Sequence, residues 1–154
     1  MANQVEPRLT KPLFDELQHE RFVTLATIDF ETSGPNVSAI SWILAISEEV
    51  IYFAVDNRSR IIQNIQSNNQ VVVNLIANES SYSISGMANV TIDKLPEVPL
   101  KLALVEVKIA EVRDVMFYGS KITSEPKYDK TYDKDAATRL DKQVIAAMKK
   151  QAML

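Results

Sequence analysis

The sequence predicts an α+β fold: six or so short, mostly antiparallel strands that curl into a barrel, with one helix mid-chain and one near each end. Three observations lead there. Runs rich in β-branched residues (FVTLATI, VIYFAV, VVVNLI) recur with short polar links between them, which is the pattern of a meander. Apolar residues fall at three- and four-residue spacing near positions 13–17, 61–65 and 140–148, which marks helices. The 154 residues, 46% hydrophobic and 24% charged with no Pro/Gly/Ser-rich linker, describe one domain spanning 1–154.

In chain order, Thr10 to Glu20 offers a capping-type threonine, Pro12 in the first turn, and apolar Leu13, Phe14 and Leu17, so a short helix is expected. Phe22 to Ile28 is the first strand, and the turn formers Asp29 to Asn36 end it. Val37 to Ile46 (VSAISWILAI) carries apolar side chains on both faces and is expected to be one strand near the centre of the sheet. After the polar turn Ser47 to Glu49, Val50 to Val55 resumes as strand. Ser59 is placed to cap a helix that buries Ile61, Ile62 and Ile65 and runs to Ser67.

Val71 to Ile76 and Tyr82 to Ile92 are two more strands, joined by the polar loop Asn78 to Ser83. Gly86 inside the second signals a bulge or a close backbone approach, the kind of bend a barrel needs. Pro96 to Pro99 is a rigid connector before a long strand, Leu100 to Met116. Tyr118 to Lys134 is a polar surface loop whose Tyr128 and Tyr132 read as solvated side chains or as a lid. Asp135 to Gln151 forms the last helix, with acids at its start and Lys149 and Lys150 at its end, as the helix dipole favours.

Composition narrows the chemistry. There is no cysteine and one histidine, His19, so thiol nucleophiles, Fe–S clusters, zinc ribbons and sites needing two histidines are excluded. A net charge of −3 gives no general attraction to a phosphate polymer, and nucleic acid is not an expected partner. No run approaches the roughly 18 apolar residues of a membrane span, and MANQVEPRLTK lacks an apolar signal core, so the expected compartment is the cytoplasm. With three glycines, Gly34, Gly86 and Gly119, there is no glycine-rich nucleotide loop. Whatever chemistry occurs must be carboxylate-based or borrowed from a bound cofactor.

The most informative run is Asn57-Arg58-Ser59-Arg60, at the end of a strand and the start of a helix. Free backbone N–H groups, a capping hydroxyl and two guanidinium groups favour a phosphomonoester there. The same run also reads as an ordinary N-cap with solvated arginines. Trp42, the one tryptophan, reads as core or interface packing or as a platform for a flat ring. His19 reads as a dipole-compensating side chain at the end of the first helix.

Taken together, Leu25-Ala26-Thr27, the run Pro35 to Trp42, Ile51 to Val55, Ser59-Arg60 opening a helix, and Ile84 to Val90 around Gly86 and Ala88 resemble the pyridoxamine 5'-phosphate oxidase-like FMN-binding split barrel family. The likeness covers roughly residues 10 to 93. It implies a six-stranded split β-barrel and a homodimer with FMN at the subunit interface. By the same resemblance Ser38, Ala39, Ile40, Ser41 and Trp42 line the flavin ring and ribityl chain. Ala54 and Val55 contact the ribityl-phosphate region, Ser59 and Arg60 hold the phosphate with Arg58 nearby, and Ser81 reaches the ring.

Two positions depart from the family pattern: Ile61 follows Arg60 where a basic residue is usual, and Ser38 stands where arginine is frequent. Each lost charge-assisted contact costs about 1.5–3 kcal/mol of cofactor affinity. The substrate-binding arginine and histidine of true pyridoxamine phosphate oxidases are absent beyond Leu95, so vitamin B6 synthesis is not expected. The resemblance implies an FMN-dependent oxidoreductase that passes electrons from a reduced nicotinamide or similar donor to a small acceptor, with no catalytic side chain of its own. The alternatives are a flavin-binding or stress-related protein without turnover, and a barrel using deazaflavin or haem, the last disfavoured by a single histidine.

Overall fold

A computed structural model describes residues 5–153; the first four residues of the N-terminal stretch discussed above lie outside them. In chain order the elements are β1 (Val5–Glu6), α1 (Lys11–Glu16), β2 (Val23–Ile28), β3 (Pro35–Ile40), β4 (Ile43–Ala45), β5 (Val50–Asp56), α2 (Arg60–Ser67), β6 (Gln70–Ala77), β7 (Ser80–Ile92), β8 (Leu102–Asp114) and α3 (Lys134–Ala152). All eight strands described belong to one antiparallel sheet, ordered β3-β2-β6-β7-β8-β5-β4, with β1 added on β8. The α+β split barrel is as expected, with eight described strands in place of six.

The expected central strand Val37 to Ile46 is corrected. It is two short strands, β3 and β4, at opposite edges of the sheet. The apolar residues on both faces have a different cause: the chain crosses here from one edge to the other. Ser41 and Trp42 make the crossing, and their carbonyls extend the two edge pairings into it. The Ser41 carbonyl accepts from the Arg21 amide at 3.0 Å on the β2 side, and the Trp42 carbonyl accepts from the Ala54 amide at 3.0 Å on the β5 side.

The barrel interior is filled by alternate residues of the strands, among them Leu25, Phe53, Val73, Ile84, Val105 and Val107, plugged by Leu13 and Leu17 from the α1 end and by Ile62 and Ile65 from α2. Outside, α3 covers only one half of the sheet. Its Val144, Ala147 and Met148 pack on Leu44, Ala54, Leu102 and Leu104 of β4, β5 and β8, each large buried side chain contributing about 1.5–3 kcal/mol. The α3 start is capped by Asp133, whose carboxylate accepts from the Asp135 and Ala136 amides.

Several local expectations are met with shifted bounds. Ser59 caps α2, its hydroxyl oxygen accepting from the Ile61 amide at 3.0 Å. At α1 the Thr10 side chain makes no cap bond, and the helix stops at Glu16, short of the expected Glu20. His19 therefore lies beyond its last turn, exposed, with Nδ1 2.9 Å from the Glu20 carbonyl. The polar loop Asn78 to Ser83 shrinks to a two-residue turn, because Asn78 and Glu79 both take positive φ (51° and 64°), the type I′ geometry that matches strand twist. Gly86 fulfils both of its expectations. The β7–β8 register shifts at Ser85/Gly86, and a Cβ on Gly86 would sit 2.4 Å from the Lys108 carbonyl oxygen.

Candidate functional site

The run expected to hold a phosphate forms the junction of β5 and α2. Arg58 is exposed and lies 3.5 Å from the Asp56 carboxylate. Arg60 reaches back across α2 to the loop between β2 and β3. Its Nε donates to Asp29 Oδ2 at 2.8 Å, and its Nη2 donates to Asp29 Oδ1 at 3.1 Å and to Glu31 Oε1 at 2.8 Å. The guanidinium also lies 4.7 Å from the Phe30 ring centre, a cation–π stack.

Asp29 is buried, 5% exposed, and is held in turn by the Glu31 and Thr32 amides, each donating to Oδ1 at 2.9 Å. The Arg60 hydrogen bonds, followed by these two amides, hold its carboxyl far below the usual carboxylate range. One turn along α2, Asn64 completes the junction. Its Nδ2 donates to Thr27 Oγ1 (2.9 Å) and Asn36 Oδ1 (2.8 Å), and its Oδ1 accepts from the Phe30 amide (2.9 Å). Residues four apart on one helix face thus pin both ends of one loop.

The expected ring-lining run divides between three environments. Ser38 pairs across the sheet with buried Leu25, so Ser38 and Ile40 share the barrel side, while Val37 and Ala39 point outward. Ser41 and Trp42, on the crossing segment, have their polar atoms engaged. Ser41 Oγ donates to Glu20 Oε2 at 2.6 Å, and Trp42 Nε1 donates to Asp141 Oδ1 at 2.9 Å. Trp42 packs against the α3 cluster, the packing role its sequence context allowed. Ala54 is buried beneath α3 and Val55 in the barrel core. Ser81 lies on the outer face beside Asn74, whose Nδ2 donates to its Oγ at 2.9 Å.

Outer-face residues of β2, β3, β6, β7 and β8 line a mainly apolar groove of about 410 Å³, among them Ala26, Ile28, Pro35, Val72, Met87 and Ala110. Val37, 70% exposed, and Ala39 extend this surface along β3. It is the half of the sheet that α3 leaves bare.

Sequence reasoning passed over the acids Asp29 and Glu31, read there only as turn formers, and the polar residues that anchor the segment between β8 and α3. Lys130 Nζ donates to Glu20 Oε2 at 2.6 Å and to Asp141 Oδ1 at 3.1 Å, half-buried against the crossing segment. Burial opposes its charge, but the bonds to Glu20 and Asp141 outweigh that and raise its pKa. Arg21 holds the same segment through Glu125 at 2.7 Å, and Tyr128 stands 6.2 Å from the Phe22 ring. The first half of the segment is tied by the Val115 and Ile122 amides, which donate to the Ser81 and Glu79 carbonyls at 2.8 Å, so it is a strap and not a free loop. Lys130→Met is expected to cost about 1–3 kcal/mol, because it leaves two carboxylates facing each other, and to speed proteolysis between residues 118 and 133. Unchanged cleavage and an unchanged melting temperature would refute that anchoring.

An antiparallel split barrel, with a helix junction at one end of the β2–β3 hairpin and a bare outer groove, defines the class. The model of the family described as pyridoxamine 5'-phosphate oxidase matches residues 9–116, and the chain belongs to that family. The fold is similar to that of a Lactobacillus delbrueckii protein carrying the same family name (18% identity, TM-score 0.61, covering 73% of this chain and 98% of that one). It is also similar to general stress protein 26 of Bacillus anthracis (18%, 0.55, 66% and 89%). A third likeness is to an FMN-binding protein of Syntrophomonas wolfei (19%, 0.50, 70% and 84%). No curated protein matches the sequence.

The residues present fit the two halves of FMN differently. The groove is apolar and large enough for a flat tricyclic ring. At the phosphate end, three carboxylates (Asp29, Glu31, Asp56) face two guanidiniums (Arg58, Arg60), with Lys101 near Asp56, leaving no net positive charge. That half does not fit a phosphate dianion.

Proposed function

We propose that this chain is a homodimeric flavin-binding protein that holds the flavin ring in the outer groove, with a second copy of the chain covering the bare half of the sheet. The observation that carries the reading is the division of the outer face: α3 seals Leu44, Ala54 and Leu104, while Ala26, Ile28, Val37 and Val72 have no helix over them among the described residues. Uncovered β-branched side chains on a sheet face beside an unpaired edge strand favour a self-complementary contact. Family membership and the likeness to an FMN-binding protein support the choice of ligand. The protein's own contribution is to bind, orient and shield the ring; when bound, a flavin supplies the redox chemistry that this chain's side chains lack.

The test is flavin fluorescence quenching with sedimentation velocity on the same sample. A dimer that quenches is expected, and Val37→Asp is expected to lose both properties, since it places a charge at the centre of the contact. A monomeric wild-type protein, or no quenching, would refute the reading. Oxidation of NADH and NADPH by the flavin-loaded protein separates an electron-transferring enzyme from a binder.

A further inference from the structure

The phosphate end of the site is filled by the chain itself. Arg60 makes three charge-assisted hydrogen bonds to Asp29 and Glu31, and one face of its guanidinium is stacked on Phe30. Five N–H donors in a fixed fork are the reason arginine holds phosphate well. Here Nε and Nη2, the two nitrogens of one edge of that fork, are occupied by carboxylates in the same in-plane arrangement.

The two acids have different parts. Asp29 is buried and tied to the Glu31 and Thr32 amides, so it is a fixed element of the hairpin. The Glu31 carboxylate is held by Arg60 Nη2 at 2.8 Å and is 61% exposed at the side chain. It takes the second N–H of Arg60 Nη2, so that Nη1 is the guanidinium nitrogen these two acids leave to an incoming oxyanion. A dianion on Arg60 would either lie beside Glu31 and Asp29 or displace Glu31 and remain close to Asp29, and like charges in contact are unfavourable. The position that follows Arg60 is Ile61, which offers no second charge to offset them. Of the rest of the run, Asn57 Nδ2 donates to the Asp93 carbonyl at 3.0 Å, Arg58 lies 3.5 Å from the Asp56 carboxylate, and Ser59 Oγ accepts from the Ile61 amide at 3.0 Å.

We infer that Glu31 is a specificity-determining residue which, with Asp29, occupies Arg60 as an internal substitute for phosphate, so that the site selects flat ring ligands without a terminal phosphomonoester, riboflavin-like compounds over FMN. The inference rests on the flavin reading above and narrows its ligand class.

The experiment compares the affinities of riboflavin and FMN by quenching, for wild-type protein and for Glu31→Gln, at two salt concentrations. Wild-type protein is expected to bind FMN no more tightly than riboflavin and with little salt dependence. In Glu31→Gln the ratio of FMN to riboflavin affinity is expected to rise about tenfold, with a new salt dependence, because one carboxylate has left the guanidinium. Asp29 is left intact so that the hairpin keeps its fold, and an unchanged melting curve of Glu31→Gln verifies this. Wild-type FMN binding about tenfold or more above riboflavin, lost in Arg60→Met, would overturn the inference and leave the flavin reading standing. An unchanged ratio in Glu31→Gln would likewise overturn it. Failure of both flavins to bind wild-type protein would overturn the flavin reading itself, and the selectivity with it.

Discussion

Gly86→Ala is expected to lower stability by about 3 kcal/mol and the melting temperature by about 6–12 °C. A Cβ at this position would lie 2.4 Å from the Lys108 carbonyl oxygen and 2.9 Å from Val107 Cγ1. Neither neighbour can withdraw cheaply. The carbonyl belongs to the β8 backbone at the place where β7 and β8 change register, so relief requires β8 to move as a strand. β8 also pairs with β5 and β1, and its displacement would spread to both sides of the barrel. Thermal unfolding of the single variant decides the matter; a shift below about 2 °C would show that the bulge can open to admit a methyl group.

The second large effect belongs to Asn64, which is 1% exposed and whose side chain makes three hydrogen bonds, to Thr27, Asn36 and the Phe30 amide. Asn64→Ala leaves the Phe30 N–H without its acceptor and opens a small cavity between α2 and the hairpin. The expected cost is about 2–4 kcal/mol. Asn64→Leu separates the two causes, since it restores volume and not polarity. A leucine variant as unstable as the alanine variant identifies the hydrogen bonds as the source, whereas recovery to within about 1 kcal/mol of the wild-type value would assign the loss to packing. Chemical denaturation at pH 7 measures both.

These two positions differ in how well they can be read from sequence. A lone glycine inside a strand pattern is a local signal, and Gly86 was legible as a bulge or close approach. Asn64 has a weaker sign, an amide on a helix face between Ile61 and Ile65. The strands and helices could be placed because period-two and period-3.6 patterns depend only on neighbours in sequence. The break of Val37 to Ile46 into two edge strands could not, since a crossing segment and a central strand both present apolar residues on two sides.

The candidate site shows the same limit. Ser59 and Arg60 stand where their sequence context put them, at the cap of α2. The partners of Arg60 lie 31 and 29 residues earlier, in a hairpin loop whose composition says only that it turns. Charge partnership across such a separation is set by the β2–β3 pairing and by the angle at which α2 leaves β5, neither of which has a sequence period. Lys130 and its two carboxylates escaped notice for the same reason: they come from the link between α1 and β2, the strap and α3.

The crossing at Ser41 and Trp42 has a consequence for how such proteins diverge. Besides the side-chain bonds of Ser41 to Glu20 and of Trp42 to Asp141, the segment is held by the two carbonyls of these residues, which every amino acid possesses. Substitution there changes what the segment presents to α3 and to the strap while these backbone bonds stay available. A fold joined in this way can exchange side chains along the crossing over generations and keep its architecture, which accords with solved structures that share the fold at 18–19% identity.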